Sequence, residues 1–326
     1  MQKWLLETWY DGGRHGWWLQ PFAWLFAAIT GLRRFAYRTG VLGKYRSRRP
    51  VVVVGNLSVG GTGKTPLVIW LAGQLATRGL QVGIASRGYR GAGGRARLVS
   101  DADDAAATGD EALMLHRRLR LPVAIASRRA DAVRLLEPAC DVILADDGLQ
   151  HYSLERDLEI AVVDGARGLG NRRLLPAGPL RESPARLDKV DSVVVNGAGF
   201  SWPGAVRMNL VPVAVVSLEG GERLPLAAFA GRKVHAIAAI GNPWRFFAML
   251  REHGLSLDEH PLPDHAEIPL AAIRGGSAQA VLMTEKDAVK CPRDDLRNAW
   301  YVEIDARIEG PAATALVNRI MDLARA

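Results

Sequence analysis

The chain has 326 residues, 48% hydrophobic and 23% charged, the balance of a folded protein with length for two ordinary domains, which excludes a disordered chain. Two cysteines, Cys140 and Cys291, are too few for a disulfide framework or a cysteine metal site and fit a reducing compartment. The net charge of +8 is concentrated in residues 1–49, where nine Lys/Arg oppose only Glu7 and Asp11; the other 277 residues are nearly neutral, which argues against a nucleic-acid-binding body.

Residues 1–49 read as a membrane-associating segment. Five of the nine tryptophans lie here (Trp4, Trp9, Trp17, Trp18, Trp24), and tryptophan favours the bilayer interface. The apolar run Trp17–Leu32 is 16 residues long and includes Gln20 and Pro21, short of the roughly 20 apolar residues that span a bilayer. Arg33–Arg49 follows with seven basic residues and no acidic one. An apolar wedge with a basic flank describes a helix lying in the interface of an anionic membrane. A cleaved signal peptide fits less well, because Glu7 and Asp11 spoil a positive start and no small-residue cleavage site precedes Arg33. The alternative is a helix packed on the protein's own body or in an oligomer.

Val51–Pro66, VVVVGNLSVGGTGKTP, is the most informative stretch. Four valines closed by glycine read as a strand buried on both faces of a parallel sheet. Leu67, Val68, Leu71 and Leu75 at helical spacing read as the helix that follows. Strand, glycine turn and helix is the context a phosphate-binding loop needs; the alternative is a glycine-rich hairpin with a chance Gly-Lys-Thr. Backbone N–H groups of Gly60, Gly61, Thr62 and Gly63 can approach a polyphosphate, and the helix N-terminus adds partial positive charge. Lys64 would reach the β/γ-phosphates and the Thr65 hydroxyl a magnesium ion. Ser58 stands where the pattern wants a first glycine, so the loop is a variant.

From residue 50 to about 200 apolar strands alternate with helices, which predicts a parallel α/β domain. The strands expected are Val51–Gly55, Gln81–Ser86, Pro122–Ala126, Asp141–Asp146, Leu158–Asp164 and Ser192–Asn196. Trp202–Leu226 is proline-rich and reads as irregular. Residues 201–326 are expected to form a smaller α/β domain with strands Lys233–Ile240, Ala280–Thr284 and Trp300–Ile304, a helix at Trp244–His253 and a closing helix.

Polar clusters sit at strand ends, where ligands bind in open α/β sheets. The strand ending in Asp146-Asp147 is the usual second half of a nucleotide site and would hold Mg²⁺ directly or through water. His151, on the loop that follows, either faces substrate or caps a turn. Arg87, Tyr89 and Arg90 share one loop, and arginine forks suit phosphate oxygens. Asp110 opens a leucine-rich helix, where an aspartate is commonly an N-cap. LPAGPLRE, Leu175–Glu182, is too proline-rich for a helix and places Arg181 beside Glu182. Pro263-Asp264-His265 offers a carboxylate and an imidazole together.

The segments GNLSVGGTGKTP, SRGYRG, GDE, ADDGLQH, LPAGPLRE, PDH and TEKDAVK, in this order and at these separations, resemble the tetraacyldisaccharide 4′-kinase family of lipid A biosynthesis. The resemblance runs from about Val51 to Lys290. It implies a P-loop α/β domain with a smaller C-terminal domain and an N-terminal helix on the cytoplasmic face of the inner membrane. It also implies transfer of the ATP γ-phosphoryl to the 4′-hydroxyl of a tetraacylated glucosamine disaccharide. By the same resemblance Lys64 and Thr65, with Ser58 in the loop, would hold ATP and Mg²⁺. Asp146, Asp147 and Glu182 would serve the metal, and Arg181 would reach the phosphates. Asp110 would be the general base, paired with His265, while Arg87, Tyr89 and His151 would face substrate. Thr284–Lys290 would frame the nucleotide cleft. The expected partners are ATP, the acylated disaccharide and the anionic membrane surface, with no nucleic acid and no obligate protein partner. Two rivals remain. A ParA/MinD-like membrane ATPase wants a second lysine where this chain has Val59, and a non-catalytic nucleotide-gated scaffold has no need of Asp110, His265 and Arg181-Glu182 together.

Overall fold

The computed structural model describes residues 2–10, 14–88, 95–269, 280–291, 296 and 298–326. The chain begins with helices α1 (Gln2–Tyr10) and α2 (Gln20–Arg38), joined by a 3₁₀ turn at Arg14–Leu19. The first unit then runs β1 (Val51–Gly55), α3 (Lys64–Ala76), β2 (Val82–Ser86), β3 (Arg97–Leu98), α4 (Ala105–Thr108), α5 (Asp110–Leu119), β4 (Val123–Ile125), α6 (Arg129–Leu136), β5 (Val142–Asp146), β6 (Leu158–Asp164) and β7 (Ser192–Asn196). The second holds β8 (Val206–Ser217), β9 (Arg223–Leu224), β10 (Lys233–Ala238), α7 (Pro243–Glu252), β11 (Ser256–Pro261), β12 (Val281–Thr284), α8 (Glu285–Ala288), β13 (Ala299–Ile308) and α9 (Pro311–Arg325).

The valine strand β1 is central. It pairs in parallel with β5 on one side and β6 on the other, so the sheet order reverses about it, and such a switch point is where open α/β sheets bind ligands. Its alternate residues serve two cores, as the period of two requires. Val52 and Val54 pack with α3 and α5, while Val51 and Val53 pack with α6 and the strands on the other face. Burial on both faces is why the sequence reads as an unbroken β-branched run.

The nine strands expected from sequence are all present, with ends shifted by a few residues. The largest shift lengthens Trp300–Ile304 to the whole of β13. The expectation of irregular structure at Trp202–Leu226 is corrected: Val206–Ser217 forms the longest strand, β8. Pro212 is accommodated where β8 pairs with β13, next to a register shift between Glu303 and Ile304. β8 pairs in parallel with β7 through Val206–Met208 and antiparallel with β13 over most of its length. The two units therefore share one sheet, in the order β11-β10-β12-β13-β8-β7-β6-β1-β5-β2-β4-β3, with β9 on β8. Helix α9 also folds back, bringing Leu316 and Ile320 into the same core as Leu67 and Leu71 of α3.

The N-terminal segment divides in two. Helix α1 docks on the body: buried Trp9 donates from Nε1 to the Pro176 carbonyl at 3.0 Å, and its own carbonyl accepts from Asn171 N at 2.8 Å. Helix α2 touches the body through Ala23, which packs with Leu19 and Ala177, and through Arg34. Most of its apolar side chains point outward, with Trp24 and Leu32 at 66% and 70% exposure, and Trp17 of the preceding 3₁₀ turn is 73% exposed. No described helix is long and apolar enough to cross a membrane.

Candidate active site

The turn after β1 is closed by Asn56. Asn56 donates from Nδ2 to the carbonyls of Ser58 at 2.6 Å and Gly60 at 3.3 Å, and its Oδ1 accepts from Lys64 Nζ at 3.1 Å. Gly63 caps α3 at φ +95°, and a Cβ there would lie 2.5 Å from Asn196 Nδ2, which donates to the Thr62 carbonyl at 3.0 Å. Glycine is required at that position by both conformation and space. Ser58 is tolerated because its backbone is not left-handed; it lies in an antiparallel bridge with Leu180.

That bridge explains LPAGPLRE. Val59 N donates to the Pro179 carbonyl at 2.9 Å and Arg181 N to the Leu57 carbonyl at 2.7 Å, so the proline-rich loop is pinned along the start of the phosphate loop. Arg181 Nη1 thereby reaches Asp147 Oδ1 at 3.3 Å, and Lys64 Nζ lies 3.4 Å from the same oxygen. The two cations outweigh the cost of burial and hold the Asp147 carboxyl well below the usual range. Asp146, opposite Val54 in the β1–β5 register, is buried, and burial pushes its carboxyl up. Its Oδ1 accepts no hydrogen bond from the described residues. An oxygen acceptor orphaned beside Asp147, in a cleft that Thr65 also lines, fits a hard divalent cation such as Mg²⁺.

Asp110 does not cap its helix. Gly109 holds that place at φ +82°, and Asp110 is the first helical residue, buried at the helix N-terminus. His265 Nδ1 lies 2.9 Å from Asp110 Oδ2 and 3.2 Å from Oδ1, and since a carboxylate only accepts, Nδ1 carries the proton. Lys290 and Lys286 stand 3.7 and 4.0 Å from Oδ2. Burial raises the Asp110 carboxyl, but the His265 hydrogen bond and the lysine charges outweigh it and keep the group ionised. His265 adopts φ +62°, a costly conformation for a non-glycine residue, with its N donating to the Ala239 carbonyl at 3.1 Å. Ala239 N in turn donates to the fully buried Asp287 carboxylate at 3.1 Å. The TEKDAVK stretch thus both flanks Asp110 with lysines and fixes the strand end that holds His265.

These groups face one cleft of about 690 Å³ between the phosphate loop and the loops after β10 and β11. A Cβ on Gly241 would lie 3.3 Å from Gly61 N, so the second unit's backbone comes close to the phosphate loop itself. Gly60, Gly61, Thr62, Gly63, Lys64, Thr65, Arg87, Asp110, Asp146, Asp147, Arg181 and His265 all line the cleft.

Four expected site residues stand apart. Ser58, held in the bridge with Leu180, does not line the cleft. Tyr89 lies outside the described residues. Glu182 does not line the cleft: its carboxylate accepts from Arg34 Nη1 at 3.0 Å, Gln150 Nε2 at 2.9 Å and the Tyr152 hydroxyl, with Arg186 Nε at 3.4 Å, so its oxygens are already engaged. His151 is also off the cleft wall. Burial and the Arg129 charge push its imidazole down to about 4 from 6.5. The folded state then holds fewer protons than the unfolded chain. Its contribution is intact above about pH 6.5 and is lost as pH falls to about 4, up to about 3 kcal/mol and less where water screens the ring. Denaturant unfolding across that window should therefore show a steeper acid loss in the wild type than in His151→Gln.

Sequence reasoning missed Arg129, Asn196 and Arg245. Arg129 is fully buried at the start of α6 and donates from Nη2 to the Asp146 carbonyl at 2.6 Å. Its signal was available: Arg128-Arg129 follows a strand end just as Arg87 does. Arg245 reaches from α7 to Asp164 at 3.2 Å and Asn196 at 3.0 Å across the two units, a contact that no local pattern reveals.

Residues 15–322 match the family LpxK, tetraacyldisaccharide-1-P 4′-kinase. The chain is 47% identical to the tetraacyldisaccharide 4′-kinase of Aeromonas hydrophila, over 97% of this chain and 96% of that protein. Identity to the same enzyme of Methylobacillus flagellatus is 44%, over 98% and 97%. The fold matches the crystal structure of the "apo" form of LpxK from Aquifex aeolicus in complex with ATP, with a TM-score of 0.78 and 27% identity, covering 94% of this chain and 98% of that one. The chain, whose phosphate loop shares a cleft with Asp110 and His265 and which matches these kinases over nearly its whole length, belongs to the tetraacyldisaccharide 4′-kinase family.

Proposed function

We propose that this chain phosphorylates the 4′-hydroxyl of a tetraacylated glucosamine disaccharide 1-phosphate with ATP. The observation that carries this reading is the Asp110–His265 pair and the phosphate loop lining the same cleft. Phosphoryl transfer asks the protein chiefly for positioning and charge neutralisation. The backbone amides of Gly60–Gly63, with Lys64, bind the β/γ-phosphates. Thr65, Asp146 and Asp147 would hold Mg²⁺, which when bound would offset phosphate charge. Arg181 braces Asp147 and presents its guanidinium to the phosphates. Asp110 accepts the hydroxyl proton, and His265, donating from Nδ1, orients the carboxylate that receives it. Arg87 faces the incoming glycolipid. Glu182 is left out of the metal set; its task is to tie Arg34 of α2 to the loop that carries Arg181. A membrane ATPase of the ParA/MinD type gains no support, since Val59 fills the place of its second lysine. Incubation with ATP labelled at the γ-phosphate tests the reading: label should move to the glycolipid, and recovery only as inorganic phosphate would overturn it.

The same proposal places the enzyme at an anionic membrane surface. Phe22, Leu25, Ile29 and Leu32 recur at helical spacing on the outward side of α2, with Trp24 beside them. Burying each such side chain in the interface contributes about 1.5–3 kcal/mol at most. The basic flank contributes less than its seven charges suggest, because Arg34 pairs with Glu182 and Arg46 with Asp157 at 2.8 Å. Replacing Leu25, Ile29 and Leu32 together by Ser should abolish co-flotation with anionic vesicles and raise KM for embedded glycolipid, with KM for ATP unchanged. Undiminished flotation would place the membrane contact elsewhere.

A further inference from the structure

We propose that His235, Asp258 and His260 form a second metal site, for a transition-metal ion of the Zn²⁺ class, on the outermost strand pair of the sheet. β10 and β11 run parallel, with His235 opposite Asp258 and Ile237 opposite His260. Residues paired across neighbouring strands share a face, and so do Asp258 and His260, two apart on one strand. The register thus gathers two imidazoles and one carboxylate on one face. Asp258 Oδ2 lies 2.9 Å from His235 Nδ1 and 3.5 Å from His260 Nε2, and the three ligand atoms fall within 4.8 Å of one another.

A tetrahedral ion with bonds of about 2.0–2.1 Å keeps its ligands about 3.3 Å apart. Two of the three pairs already bracket that spacing. The third closes by rotation of the exposed His260 ring. Two imidazole nitrogens and one carboxylate oxygen suit Zn²⁺, Co²⁺, Ni²⁺ or Cu²⁺ and not Mg²⁺, so this site is chemically distinct from the oxygen set beside the phosphate loop.

The placement gives the ion a consequence. β10 leads to Ala239, whose carbonyl accepts from His265 N, and β11 leads within four residues of its end to His265. An ion bridging the strands would staple together the two arms that hold the His265 loop, at an edge strand with β10 as its partner in the sheet order.

Full-length protein freed of metal by chelation is titrated with Zn²⁺ by calorimetry and with Co²⁺ by visible absorption, beside H260A and the double variant H235A/H260A. Wild type should bind one equivalent more than the double variant, give the visible spectrum of tetrahedral Co²⁺ with N/O ligands, and melt at a higher temperature with Zn²⁺. H260A should weaken binding at least about tenfold. Equal stoichiometry in wild type and double variant would overturn the proposal. So would a wild-type spectrum of octahedral aqueous Co²⁺ alone, a reading that does not depend on any variant folding.

Discussion

Replacing Asp110 by Asn or Ala is expected to lower kcat by about 10²–10⁴-fold while ATP affinity changes little, because a base acts mainly in the transition state. The side chain is buried, ionised and held 2.9 Å from His265 Nδ1, and it belongs to α5 rather than to the phosphate loop. The Asn variant keeps the shape and an acceptor for His265, so a loss there is chemical and not a consequence of unfolding. His265→Ala should lose less, since it removes an orienting donor and leaves Asp110 beside Lys286 and Lys290. The double variant should lose far less than the product of the two, as expected of groups acting as one unit. Independent multiplication of the two losses would break the pair into separate contributions and contradict the assignment.

Lys64→Ala is expected to reduce transfer by at least about 10²–10³-fold, the cost of removing one preorganised donor from developing phosphate charge. Lys64 is mostly buried and lies within reach of Asn56 Oδ1 and Asp147 Oδ1. A cation in that position is aimed by its neighbours before nucleotide arrives. Lys64→Arg should recover little, because a planar fork does not replace a compact ammonium in a turn closed by Asn56. Thermal unfolding of Lys64→Ala should stay close to wild type, since Arg181 remains on Asp147. Near-normal turnover in this variant would remove the phosphate loop from the reaction.

What was legible in the sequence follows from what is local. The valine run, the glycine turn and Asp146 at a strand tip declare themselves within a few residues of each other, because a strand buried on both faces leaves an unmixed apolar signal. β8 was illegible for the opposite reason. Its burial alternates and then breaks, and Pro212 and Pro203 nearby suggest a loop. Only pairing with β7 and β13 makes it a strand, and that same strand joins the two units into one sheet. Asp110 and His265 were visible singly as an apparent helix cap and a loop histidine. Their meaning depends on a contact across 155 residues, which the motif resemblance supplied and local patterning could not. Glu182 shows the reverse limit. Sequence set it beside Arg181 and invited a shared role, and the two do meet on Gln150, which accepts from Arg181 Nη1 and donates to Glu182, but Glu182 is otherwise engaged by Arg34 of α2 and Tyr152 while Arg181 reaches Asp147.

The central claim is that a hydroxyl of the acylated disaccharide is activated at Asp110 and accepts the ATP γ-phosphoryl at carbon 4′. The most direct measurement is phosphorus–proton correlation NMR on the glycolipid recovered after reaction with ATP and Mg²⁺, run in parallel with the Asp110→Asn protein. The account predicts one new phosphate monoester, correlated with the proton on carbon 4′, formed by the wild type and all but absent with the variant. A new phosphate at any other position, or the same product formed as fast without the Asp110 carboxylate, would contradict it.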